Sequence, residues 1–94
     1  MSVQSKWVIQ VTGYLQAHFY QDDGSSRPGI DCAVSLTNDS ETKGILVRAY
    51  DDAVINAPPE EVSRLIECYV ASLVDSGWSP DDYKRKPGEL VFKR

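Results

Sequence analysis

From Trp7 to Tyr20 the chain alternates with a period of two. Trp7, Ile9, Val11, Gly13, Leu15, Ala17 and Phe19 fall on one side, and Val8, Gln10, Thr12, Tyr14, Gln16, His18 and Tyr20 on the other. Successive side chains of a strand point to opposite faces, so this run predicts a strand over 7–20 with its odd side toward the core. Gly13, at its centre, predicts a bend or bulge. Residues 21–29 read as a loop, because Asp22-Asp23-Gly24, two serines and Pro28-Gly29 supply turn chemistry. A second strand is predicted over 30–37, with Ile30, Cys32, Val34 and Leu36 inward. A third is predicted over 43–50, with Ile45, Val47 and Ala49 inward and Leu46, Arg48 and Tyr50 outward. Connections this short favour an antiparallel meander.

The period then changes. After a crossing segment over 51–57, Val62, Leu65, Ile66, Tyr69, Val70 and Leu73 recur at spacings of three and four, which predicts an amphipathic helix over 59–76. Pro58 and Pro59 suit its first turn, where a missing N–H costs nothing. Glu60 and Glu61 sit where the helix dipole favours negative charge. Gly77 followed by Trp78 predicts a Schellman end. A polar connection over 79–88 leads to a last short strand over 89–93, with Leu90 and Phe92 pointing one way and Val91 the other. The predicted fold class is therefore α+β: one domain over 1–94, an antiparallel four-stranded sheet in the order β-β-β-α-β, and one helix packed on one face.

Composition narrows the function classes. The 94 residues carry a net charge of −4, which disfavours a generic nucleic-acid binder, since phosphate binding draws on a positive surface. An acidic balance suits a basic protein partner. No apolar run is long enough for a signal peptide or a membrane span, so a cytoplasmic protein without membrane contact is expected. Cys32 and Cys68 lie in apolar-patterned segments and read as reduced core residues. Asn38-Asp39-Ser40 matches the glycosylation sequon, a chance match for a chain with no secretion signal.

Catalytic and metal chemistry find little support. His18 is the single histidine and lies mid-strand, no serine or cysteine has the context of an activated nucleophile, and no glycine-rich turn could cradle phosphate. Cys32, Cys68 and His18 lack the paired spacing of a zinc site. The acidic doublets Asp22-Asp23, Asp51-Asp52, Glu60-Glu61 and Asp81-Asp82 each fall in a loop or at a helix start, where turn and dipole effects already explain carboxylates. No enzyme activity, metal or cofactor is expected.

The sheet face away from the helix is the more suggestive feature. By the alternation, Tyr14, His18 and Tyr20 share it with Arg48 and Tyr50, and tyrosine and arginine are enriched in protein interfaces. The leading expectation is a small non-catalytic protein-binding module of inhibitor or immunity type, such as a phage-encoded inhibitor of a nucleic-acid-binding defence complex. The acidic loops Asp22, Asp23, Asp51 and Asp52 would compete for the partner's phosphate-binding groove. Two alternatives stand beside it. One is single-stranded nucleic-acid binding through the aromatic face and the run Lys84-Arg85-Lys86, whose field Asp81-Asp82 largely cancels. The other is a homodimer through the open face or an edge strand.

Overall fold

The computed structural model describes residues 7–83 and 90–92. Strands β1 (Val8–Tyr20), β2 (Ser26–Thr37) and β3 (Thr42–Ala49) form one antiparallel sheet in the order β1-β2-β3. Helices α1 (Asp52–Ile55) and α2 (Pro59–Asp75) follow, and then a 3-10 turn over Pro80–Asp82. The meander and the α2 helix match the hydrophobic pattern. The segment over 51–57, expected only to cross, carries α1. Asp51 caps this helix by accepting a hydrogen bond from the N–H of Ala53 at 2.8 Å.

The core lies between α2 and one sheet face. Ile30, Cys32, Val34 and Leu36 of β2 and Ile45, Val47 and Ala49 of β3 meet Val62, Ile66 and Val70 of α2, with Val54 and Phe92 at the margins. Fully burying an aliphatic side chain of this size contributes about 1.5–3 kcal/mol. The inward sets foreseen for β2 and β3 are the ones buried. Of the two cysteines, Cys32 is buried and Cys68 is exposed on α2, which corrects the expectation that both belong to the core. Burial, with the charge of Asp31 adding to it, pushes the Cys32 thiol up to about 11.

The α2 helix ends as its sequence foretells. Gly77 adopts a φ of 103°, the N–H of Trp78 reaches the carbonyl of Leu73 at 3.0 Å, and the N–H of Gly77 reaches that of Val74 at 3.0 Å. These two crossing bonds are the Schellman pair.

The expected fourth antiparallel strand is not present among the described residues. Leu90–Phe92 instead runs parallel to β3 and touches it by a single bridge, Arg48 with Val91. The N–H of Arg48 donates to the carbonyl of Leu90 at 3.0 Å, and the N–H of Phe92 donates to that of Arg48 at 2.7 Å. The direction follows from the connection. The α2 helix carries the chain back along the sheet after β3, and a crossover of this kind returns the next segment parallel to the strand it left. Phe92 packs edge-on against Tyr69, whose hydroxyl donates to the carbonyl of Val91 at 2.8 Å. Glu89 and Lys93, the ends of the expected strand, lie outside the described residues, as does the basic run Lys84-Arg85-Lys86.

The first hairpin is longer than its turn residues suggest. Strand pairing continues to Tyr20 opposite Ser26, so the loop shrinks to 21–25 and Ser26–Gly29, expected to be loop, belongs to β2. Gly24 (φ 85°) and Asp23, which accepts from the N–H and hydroxyl of Ser25, shape the turn. Pro28 is tolerated in the strand because β3 has already ended: its last residue, Ala49, pairs with Ile30. The hairpin therefore projects beyond β3 as a two-stranded ribbon, and the molecule measures 51 × 28 × 20 Å.

Candidate functional site

The faces of β1 are decided by a bulge. Val11 pairs with Val34 and Gly13 with Ala33, so Thr12 is an extra residue in the ladder. One extra residue reverses the parity of everything after it. Before the bulge, Ile9 and Val11 point toward the core as foreseen. Beyond it, Tyr14 lies opposite buried Cys32, and Gln16 lies opposite buried Ile30. Residues directly opposite in a ladder share a face, so Tyr14, Gln16, His18 and Tyr20 lie on the helix side of the sheet. Gln16 confirms this by donating from its side-chain amide to the carbonyl of Ile55 at 3.1 Å.

The expected grouping of Tyr14, His18, Tyr20, Arg48 and Tyr50 on one face is thus divided. Arg48 and Tyr50 do lie on the face away from α2. Tyr14, His18 and Tyr20 do not, and Leu15, Ala17 and Phe19 take their place. Tyr20 stands on the projecting ribbon beyond the helix, 88% exposed.

On the open face the substituted residues form a compact arrangement. Phe19 lies over Gly29, where a Cβ atom would come within 2.9 Å of its ring and 3.1 Å of the carbonyl oxygen of Ala49. Glycine is required there by space, not by backbone conformation. Tyr50 meets Phe19 edge-on, with centroids 6.0 Å apart and planes at 88°. The Arg48 guanidinium sits 3.9 Å from the centroid of Phe19, and that of Arg27 sits 4.6 Å from the centroid of Tyr50. The order is Arg27, Tyr50, Phe19, Arg48, with each cation on an aromatic ring.

Asp31 closes one end. It accepts from Nε of Arg48 at 2.8 Å and from the terminal nitrogen Nη2 at 3.1 Å, a two-bond fork that holds the guanidinium flat. The carboxylate of Asp31 is the main reason that Arg48 is held protonated even more firmly than an ordinary arginine, and partial burial works against it. Among the described residues no carboxylate pairs with Arg27. Leu15, opposite Asp31, and Leu46, opposite Ala33, stand beside the stack at 67% and 53% exposure. Together they give a preformed surface with aromatic edges, one clamped and one available guanidinium, and a flanking apolar shelf.

The acidic loops are a different matter. Asp23 is spent on the turn at Ser25, and these bonds lower its carboxyl pKa. Asp51 is spent on the cap of α1. Asp22 and Asp52 remain exposed. Among the described residues no group of three or more His, Cys, Asp or Glu side chains converges as a metal site. No helix among them is long and apolar enough to cross a membrane.

Sequence reasoning missed Phe19, Arg27, Asp31, Leu15 and Leu46 as site residues, although it did point Leu46 outward. Asp31 carried a signal, since its outward position on β2 could face Arg48 on β3. For Phe19 and Leu15 the signal was the bulge expected at Gly13, which reverses the faces of the residues after it; unbroken alternation assigns both to the core instead. No protein-family model, curated protein or solved structure matches this chain.

Proposed function

We propose that the protein is a non-catalytic, cytoplasmic protein-binding module whose contact surface is the open sheet face around Phe19, Arg27, Arg48 and Tyr50. The observation that supports this reading is the preformed arginine–aromatic stack beside exposed Leu15 and Leu46. Aromatic and arginine anchors next to apolar contact area dominate binding energy at protein interfaces. The stack is held in place before any partner arrives, so little ordering entropy is lost on contact. Arg27 favours a partner that presents a carboxylate toward the stack. An inhibitory role, in which the module covers a larger protein's working surface, is the form of binding this reading favours. Electrostatic mimicry through the four loop carboxylates is the weaker version, since Asp23 and Asp51 already serve local turns.

The single-stranded nucleic-acid reading needs Tyr14, Tyr20 and Tyr50 on one face as a stacking platform, and the bulge in β1 separates them. The deciding experiment compares capture of interacting proteins by the wild type, Arg27→Glu and Leu46→Lys, followed by affinity measurement with the purified partner. A genuine partner should lose at least about tenfold in affinity to each variant. Equal affinity for all three would remove this face from the interaction.

A further inference from the structure

The two edges of the sheet are treated differently. On β3 the outward N–H of Leu46 donates to the Tyr83 hydroxyl at 3.1 Å, and Arg48 exchanges bonds with Leu90 and Phe92. Lys43, held between Asp81 at 2.8 Å and Glu41 at 3.3 Å, guards the start of this strand. On β1 the outward N–H of Val11 is taken by the Glu67 carboxylate of α2 at 2.9 Å. Beyond Val11, no described strand or side chain is bonded to the outer edge of β1.

The outward groups of that stretch can be identified. The hairpin loop closes on the N–H of Gln21 and the carbonyl of Ser25 at 2.8 Å. Hydrogen-bonded pairs recur at every second residue of an antiparallel ladder, so Phe19, Ala17 and Leu15 direct their backbone groups to β2. Tyr14, Gln16, His18 and Tyr20 direct theirs outward. Natural edge strands are commonly guarded by lysine, proline or inward charge. From Val8 to Tyr20 this one has no Asp, Glu, Lys, Arg or Pro.

We infer that β1 pairs antiparallel with β1 of a second copy of this chain, about a twofold axis passing at Ala17. Only this register brings all four outward residues into bonding pairs, Tyr14 with Tyr20 and Gln16 with His18, each reciprocated across the axis. The intervening pairs place Leu15 beside Phe19 on the open face and Ala17 beside Ala17. No like charges meet, and an aliphatic side chain meets an aromatic one, which is favourable across strands. A second copy fits better than a continuing chain of copies because the β3 edge is closed, so the assembly stops at two. Antiparallel pairing within one sheet puts both open faces on the same side, so the dimer would present two arginine–aromatic stacks to a partner.

Sedimentation equilibrium of the full chain from about 1 to about 300 µM tests the inference through mass action. The wild type should form a dimer. His18→Pro, which removes an outward N–H and no bond to β2, should be monomeric, as should Ala17→Lys, which sets two ammonium groups against each other at the axis. Far-ultraviolet circular dichroism establishes that each variant is folded, and Ala17→Lys carries the test if His18→Pro is not. In a Cys68→Ser background, Ala17→Cys should give a disulfide-linked dimer on mild oxidation. Directly opposite residues in a non-bonded antiparallel pair have Cα atoms about 4.5 Å apart, within reach of a disulfide. A wild type that stays monomeric throughout overturns the inference. So does a dimer that survives both edge variants but is dissolved by Leu46→Lys on the open face.

Discussion

Asp31 and Arg48 stand directly opposite each other on β2 and β3, and the guanidinium that Asp31 grips is the one lying 3.9 Å above the ring of Phe19. The ion pair and the cation–aromatic contact therefore share one group. Three strands are joined through it: Phe19 from β1, Asp31 from β2 and Arg48 from β3. This fixes the orientation of the open face at the point where the sheet narrows from three strands to two.

Arg48→Lys keeps the charge but loses the planar fork and the stack, so it should destabilise the protein by about 1–2 kcal/mol. A double-mutant cycle with Asp31→Asn, followed by urea unfolding, should return a coupling of about 0.5–1.5 kcal/mol. The partial exposure of both side chains keeps the expectation modest. Additive single effects would mean that the pair is not coupled in solution.

Gly29→Ala should cost about 1–3 kcal/mol, the usual range for overpacking. The added methyl must displace the ring of Phe19 and also press on the carbonyl oxygen of Ala49, which belongs to the backbone. The ring of Phe19 should shift away from Arg48, and NMR should show this as altered ring-current shifts on the Arg48 side chain. Unchanged stability together with unchanged Arg48 shifts would contradict the placement of Phe19.

Cys32 predicts a loss of stability in alkali. Its folded pKa of about 11 lies above the value of 9.0 for an unperturbed thiol. The unfolded chain therefore releases this proton first as pH rises, and stability present below pH 9 is lost progressively between the two values. The amount is on the order of 3 kcal/mol at full expression. Cys32→Ala lowers stability at neutral pH by leaving a small cavity, but it should flatten the decline of Tm across that alkaline interval relative to the wild type. Parallel Tm profiles for the two proteins would rule the thiol out as its source.

The inward faces of β2 and β3, the amphipathic α2 and its Schellman end are all legible in the sequence. Each depends on a regular period or on a residue with one conformational use, such as Gly77. Asp23 serves a turn, as its place in Asp22-Asp23-Gly24 leads one to expect, whereas Asp51 caps a short helix that the hydrophobic pattern does not show. The fate of the cysteines was only half legible. Cys68 lies near the apolar stripe of α2 in sequence but outside the arc that the sheet covers, and only packing defines the width of that arc.

The sequence by itself determined that this chain has a sheet with one apolar face and a helix to cover it, because hydrophobic periodicity is a local property. It did not determine which residues of β1 look away from the helix. A bulge changes the ladder count by one, and Thr12 becomes the extra residue only through the pairing of β1 with β2. That single offset moves Tyr14, His18 and Tyr20 to the helix side and brings Phe19 and Leu15 to the open face. The parallel seat of Leu90–Phe92 was likewise decided by the return of the chain after α2, since a short strand carries no mark of its direction. The arginine–aromatic stack exists because of pairing between residues far apart in the chain, and it is the tertiary structure that assembles it.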